Sequence, residues 1–177
     1  MAYGPSALLL GKGGFGVQLA ELLRAGGEWG ELLFLDDSAP GCAGKLRDYC
    51  DPALTARCAA AFVGLGNNAL RLELLQKLGL AGYQTPFFVH PLAVVSPSAH
   101  LGAGTVVLPF AFVGAGVSTG AGCIVNTGAI VDHDATLGDG VHAAPGAIIK
   151  AGAVVAALTK VDSGTIVRSP WEQEAPK

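Results

Sequence analysis

Between Ala93 and Leu158 the apolar positions return every six residues. Cut into hexads, the stretch reads AVVSPS AHLGAG TVVLPF AFVGAG VSTGAG CIVNTG AIVDHD ATLGDG VHAAPG AIIKAG AVVAAL, eleven units in one unbroken phase. The third place runs Val95, Leu101, Val107, Val113, Thr119, Val125, Val131, Leu137, Ala143, Ile149 and Val155, and the first place is small or β-branched throughout. A short fixed period with a bulky apolar residue at one place predicts a solenoid whose coils each bury that residue against the next, a β-helix repeat. Small residues suit the other inward place because the interior of a narrow prism is crowded. Glycine at the fourth and sixth places is expected to turn tight corners with φ > 0.

Upstream the pattern is that of alternating strands and helices. Ser6 to Leu10 is a short apolar run that opens into Gly11-Lys12-Gly13-Gly14-Phe15-Gly16, and the amphipathic stretch Val17 to Arg24 follows directly. Strand, glycine loop and helix in that order let backbone N–H groups hold a phosphate at the helix N-terminus. A plain tight turn is the alternative reading of so short a motif. Glu31 to Leu35 reads as a second strand ending in Asp36-Asp37, where an acid would meet a ribose or a base. Ala59 to Val63 is a third, leading into Gly64-Leu65-Gly66-Asn67-Asn68 and a helix from Ala69 to Leu78 that carries Arg71. Asn67 is placed to N-cap that helix. The glycine spacing departs from a full dinucleotide fingerprint, and a domain ending near Phe88 is too short for two mononucleotide halves. A mononucleotide or nucleotide-sugar site therefore fits better than NAD.

Charge changes the picture twice. The chain of 177 residues has a formal net charge of −3 and no basic cluster, so nucleic acid is an unexpected partner. From Ala93 to Leu158 the only formal charges are Asp132, Asp134, Asp139 and Lys150. A prism with so little charge on its outside predicts a contact surface and hence a homo-oligomer. The four cysteines, Cys42, Cys50, Cys58 and Cys123, form no C-x-x-C pair and read as reduced thiols. Without a basic, apolar leader or a run long enough to span a bilayer, the expectation is a cytoplasmic protein with no membrane partner.

The densest polar patch in the repeat is Asn126-Thr127-Gly128-Ala129-Ile130-Val131-Asp132-His133-Asp134, followed by His142 and Pro145-Gly146-Ala147. Histidine suits general-base work near neutral pH, and a neighbouring carboxylate fixes its tautomer and stabilises the imidazolium. His133 with Asp134 supplies such a pair. A merely solvated corner histidine is the bland alternative. For His142 and Asn126 the structural and functional readings stand about even. Cys123, at an inward first place, is not expected to carry an acyl group.

The order of glycine loop, Leu35-Asp36-Asp37, Gly64-Leu65-Gly66-Asn67-Asn68 with Arg71, His90-Pro91 and hexads resembles the hexapeptide-repeat sugar acetyltransferases of the PglD/NeuD type. These include bacterial UDP-4-amino-sugar N-acetyltransferases and sialic-acid O-acetyltransferases, and the resemblance covers nearly the whole chain. It implies an α/β Rossmann-like domain over residues 1–88 followed by a left-handed parallel β-helix over 89–177, with three hexads per coil and a homotrimeric assembly. It implies acetyl-CoA as cosubstrate, with no metal. The nucleotide-linked sugar is expected against Gly11, Gly13, Gly14, Phe15, Asp36 and Asp37, with Gly64 and Asn67 in the same crevice. His133 matches the family's general base, oriented by Asp134. Asn126, His142, Gly146 and Ala151 are expected at acetyl-CoA, with a backbone N–H near Ala151 as the oxyanion donor.

His133 and His142 lie nine residues apart, half of an 18-residue coil, so on one chain they are expected on different sides of the prism and converge only between subunits. After Ala147 the chain departs from its relatives. Leu158 to Thr165 resembles their terminating hairpin, so that a coil or more is expected to be missing, and Trp171 is expected over the open end of the prism or on the cofactor's adenine. Glu172 to Lys177 reads as a solvated tail. The leading function is N-acetylation of a UDP-linked 4-amino-4,6-dideoxy sugar. O-acetylation of a sialic-acid-like sugar and an inactive nucleotide-sugar-binding scaffold are the alternatives. A γ-type carbonic anhydrase on the same prism is disfavoured, since His100, His133 and His142 lack that family's spacing.

Overall fold

Strand β1 (Ser6–Leu10) is buried from Ala7 to Leu10 because it is the middle strand of a small parallel sheet. The computed structural model describes residues 4–172, in two units that divide between Pro86 and Phe87. In the first unit β1 leads into helix α1 (Gly14–Ala25) and strand β2 (Leu32–Leu35); helix α2 (Pro52–Arg57), strand β3 (Cys58–Val63) and helix α3 (Asn68–Leu80) follow. The sheet order is β2-β1-β3, with Leu8 opposite Leu33 on one side and Ala61 on the other. Helix α1 buries Gly16, Leu19, Ala20 and Leu23, the one-face spacing of a surface helix. Helix α2 was not foreseen, although Asp51-Pro52 carries its signature: the Asp51 side chain accepts from the Ala53 N–H and Pro52 stands at the first turn.

The second unit is a left-handed parallel β-helix of two-residue strands: β4 (Phe88–Val89), β5 (Val94–Val95), β6 (Val106–Val107), β7 (Phe112–Val113), β8 (Ser118–Thr119), β9 (Ile124–Val125), β10 (Ile130–Val131), β11 (Thr136–Leu137), β12 (His142–Ala143), β13 (Ile148–Ile149), β14 (Val154–Val155), β15 (Lys160–Val161) and β16 (Ile166–Val167). They stack into three faces, β4-β6-β9-β12-β15, β5-β7-β10-β13-β16 and β8-β11-β14, which we term the first, second and third. The core rows are the first and third places of the hexads, among them Ala129 and Val131, Ala135 and Leu137, Ala147 and Ile149. Each fully buried Val, Leu or Ile of these rows contributes about 1.5–3 kcal/mol from apolar burial.

Three expectations change here. Phe88 pairs with Val106 and so belongs to the β-helix rather than to the first unit. Leu158 to Thr165 does not form a terminating hairpin: β15 pairs in parallel with β12, and β16 with β13. The hexad phase simply continues beneath a more polar surface, with Val161 and Val167 at third places packing on the core. The glycines also divide by place. Sixth-place Gly104, Gly116, Gly122, Gly128, Gly140, Gly146, Gly152 and Gly164 have φ between 64° and 68°, whereas no fourth-place glycine has positive φ. Fourth-place glycine answers instead to the next coil. A Cβ on Gly102, Gly114, Gly120 or Gly138 would lie within 2.3–2.7 Å of that coil's atoms.

Candidate active site

His133 stands on the corner between the second and third faces, where the hexad AIVDHD turns. Ile130 points outward and Val131 inward, which leaves Asp132, His133 and Asp134 to make the corner. Asp134 takes the sixth place with φ 58°, a left-handed conformation that aspartate tolerates better than most side chains. From there its Oδ2 lies 2.8 Å from His133 Nδ1. A carboxylate only accepts, so Nδ1 carries the proton and Nε2 keeps its lone pair. The bond to Asp134 raises the imidazole pKa above its ordinary value, opposed by partial burial and helped by the charges of Asp132 and Asp134. Asp132 Oδ1 accepts the His133 N–H at 2.8 Å, and His133 O accepts the Gly152 N–H of the next coil at 3.0 Å. Gly114, in the coil before, leaves no room for a Cβ beside the His133 amide. The corner is thus pinned from both sides while the imidazole itself remains about half exposed.

A groove of ≈450 Å³ opens beside this corner, bounded by Asp132, Ile148, Lys150, Ala151, Trp171 and Glu172. It contains Ala151, the expected oxyanion residue. Trp171 is not over an end of the prism. It sits against the wall, its ring 6.4 Å from the His133 ring at 28° and its edge over Gly152. Lys150 pairs with Glu172, the first residue of the expected tail; residues 173–177 lie outside the described residues. Lys150 and Glu172 were not foreseen as neighbours of the site. Their 22-residue separation becomes a contact only once Lys150 and Arg168 are recognised as equivalent places in successive coils.

Asn126, His142 and Gly146 form a separate group on the first face and the corner that follows it. Asn126 Oδ1 accepts the Thr127 N–H at 2.8 Å, which turns its amide nitrogen to His142 Nε2 at 3.0 Å. His142 is therefore the Nδ1–H tautomer. Gly146 uses φ 68° and has open space where a Cβ would stand. Within one chain His133 lies on the corner between the second and third faces, whereas His142 lies in β12 of the first face. Cys123 is buried, with its thiol donating to Gly138 O, and is not available as an acyl carrier.

In the first unit the expected binding residues divide by what holds them. Gly11 has φ 94°, and a Cβ on Gly16 or Gly64 would strike Gly11 O or Gly16 Cα, so these three lock the β1–α1 turn against the end of β3. Gly13 and Gly14 face open space at the start of α1, which has no side-chain cap and no acid in its first turn; the half-buried Phe15 follows. Asp36 is engaged: its carboxylate accepts the backbone N–H groups of Lys12, Ser38 and Ala39 at 2.7, 2.9 and 2.8 Å, which hold it well below the usual carboxylate range. Asn67 caps α3 by accepting from the Leu70 N–H. Buried Arg71 donates to Leu65 O and Asn68 Oδ1. Asp37 accepts from the Leu46 N–H and borders a second groove of ≈600 Å³ that also holds Lys45, Arg47, Tyr49 and Lys77. Sequence reading placed the helix that carries Glu73 and Lys77 but no element over residues 45–50, so the side of the groove formed by Lys45, Arg47 and Tyr49 escaped it.

Residues 6–78 match the family model described as PglD N-terminal domain. Over 107 residues the chain is 33% identical to UDP-N-acetylbacillosamine N-acetyltransferase of Bacillus subtilis, covering 56% of this chain and 50% of that protein. It thus spans about half the length of that curated relative. Among solved structures, the acetyltransferase domain of PglB from Neisseria gonorrhoeae in complex with acetyl coenzyme A is 35% identical with a TM-score of 0.87, over 94% of this chain and 83% of that one. A histidine-to-asparagine variant of perosamine N-acetyltransferase from Caulobacter crescentus, in complex with CoA and GDP-perosamine, is 29% identical with a TM-score of 0.78, over 95% and 90%.

Proposed function

The chain belongs to the hexapeptide-repeat sugar acetyltransferases of the PglD type, and from that premise we propose that it transfers the acetyl group of acetyl-CoA to the amine of a nucleotide-linked amino sugar. The single observation that carries this reading is the oriented His133–Asp134 pair, 2.8 Å apart, beside the Ala151 groove. His133 Nε2 takes a proton from the sugar amine as its nitrogen attacks the thioester carbonyl, and the Ala151 N–H stabilises the oxyanion. Collapse breaks the C–S bond, the imidazolium returns its proton to the leaving sulfur, and the products are an amide and CoA thiol. The nucleotide binds the first unit, its phosphates at the open amides after Gly13 and its base toward Asp37. A UDP-linked 4-amino-4,6-dideoxy sugar is the substrate; a GDP-linked one is the alternative, favoured by the perosamine enzyme's complex.

The protein works as a homotrimer. Val94, Phe112, Ile130 and Ile166, outward places of the second face, are exposed in a single chain. A row of this kind is covered by a second copy, which also brings its partner's His142 group to the His133 corner.

Thiol release from acetyl-CoA with UDP- and GDP-linked 4-amino sugars, measured on the wild type and His133→Ala, tests the reading. Turnover with a loss of about a hundredfold or more in the variant is expected. Full activity in the variant would remove His133 from the base role, and turnover only with hydroxyl sugars would replace amine by hydroxyl acceptance. Light scattering of the same samples gives the expected threefold mass.

A further inference from the structure

The Pro170–Glu172 turn is pinned beside the general base at three points. The Trp171 N–H donates to Ser169 Oγ, Ser169 itself being buried, and Glu172 pairs with Lys150. The third point is the indole edge, 3.0 Å from where a Cβ on Gly152 would stand, so that the bare glycine is its seat. The result is an offset stack of Trp171 on His133, 6.4 Å between centroids and 28° between planes, inside the range of favourable aromatic pairs. The same indole bounds the groove that holds Ala151. An imidazole held by one hydrogen bond at Nδ1 still swings about its χ angles. A ring laid on its face removes that freedom, and the indole face also favours the imidazolium that forms during transfer.

We propose that Trp171 is a positioning residue for the general base: it clamps the His133 imidazole against Asp134 with Nε2 turned to the groove, and Gly152, Ser169 and the Lys150–Glu172 pair exist to hold the clamp. The proposal rests on the reading of His133 as the base. The charged groups around the ring are Asp132 and Asp134 on its own corner, with Lys150 and Glu172 on the neighbouring coil and turn.

The test joins kinetics with a direct optical readout of the stack. An imidazolium quenches a stacked indole, so in a Trp29→Phe background, where Trp171 is the sole tryptophan, emission is expected to drop as pH falls through the His133 titration and to be flat in His133→Asn. The wild type minus Trp171→Phe difference gives the same readout without altering Trp29. Trp171→Ala is expected to lower kcat about tenfold or more, with Trp171→Phe recovering most of it. Lys150→Met, which keeps the indole but releases Glu172 and so loosens the turn that seats it, is expected to fall between. Three results would overturn the proposal: emission that does not follow His133, a Trp171→Ala defect confined to KM for acetyl-CoA, or Phe no better than Ala. If the stack titrates but His133→Ala retains turnover, the base assignment falls and this inference with it. If His133→Ala is inactive and Trp171→Ala unimpaired, only this inference falls.

Discussion

Asp134 reaches His133 Nδ1 across 2.8 Å from a backbone conformation, φ 58°, that eight other corners of the β-helix give to glycine. Aspartate here costs conformational energy and supplies orientation. Replacing it by glycine keeps the left-handed corner, so Asp134→Gly is expected to leave stability within about 1 kcal/mol of wild type. The same variant loses the carboxylate, and its kcat is expected to fall at least tenfold. Thermal unfolding and steady-state turnover on one preparation separate the two effects; a loss of both together would show that Asp134 holds the corner rather than the base.

The raised pKa of His133 sets the pH dependence. A general base works deprotonated, so kcat/KM is expected to climb with pH through a midpoint above the ordinary imidazole value of about 6.5. In Asp134→Asn that midpoint is expected to move down. The linked stability has the opposite sense. Because the folded state favours the protonated ring, this contribution is complete below the unfolded imidazole pKa and disappears as pH rises through the folded one. A pH–rate profile with an unshifted midpoint in Asp134→Asn would contradict the assignment.

Asp36 is expected to act through structure first. Its carboxylate ties the glycine loop at Lys12 to the Ser38-Ala39 turn, and Asp36→Ala frees three backbone donors. The loss is expected at about 2 kcal/mol, discounted for partial exposure, with nucleotide-sugar affinity falling alongside. With its folded pKa held low, the contribution is complete above about pH 4 and lost as pH falls further. Calorimetry at pH 7 and pH 3 checks this: the gap between the wild type and Asp36→Ala is expected to narrow at pH 3 without closing, because pH 3 still lies above the folded pKa.

The two kinds of repeat glycine are expected to respond differently to a methyl group. In Gly138→Ala the Cβ would lie 2.6 Å from the Ala157 nitrogen, forcing coils apart at a cost of about 3 kcal/mol. In Gly128→Ala nothing stands within 4 Å, and only φ 66° is penalised, at about 1 kcal/mol. Urea unfolding of the pair decides it, and equal losses would refute the division.

Much of the β-helix was legible because its period is local. Val131 or Ile149 at a third place says which way it faces without knowledge of any distant residue. The pairing of His133 with Asp134 is equally local, one residue apart. The end of the solenoid was misread for a related reason: Lys160, Asp162 and Arg168 put charge on outward places, and outward places carry no information about the core rows that Val161 and Val167 continue.

What the sequence determined alone was the period, the inward rows, the strand–loop–helix order of the first unit and the adjacency of His133 to the carboxylate that holds its Nδ1, all set by spacing within a hexad or a helical turn. Tertiary structure decided what arises where coils meet. Fourth-place glycines proved to be seats for the next coil, Asp36 a tie for the glycine loop, and Trp171 a neighbour of His133, a residue 38 positions earlier. Such contacts depend on the rise and rotation from one coil to the next and on where a chain segment returns, which no local pattern encodes.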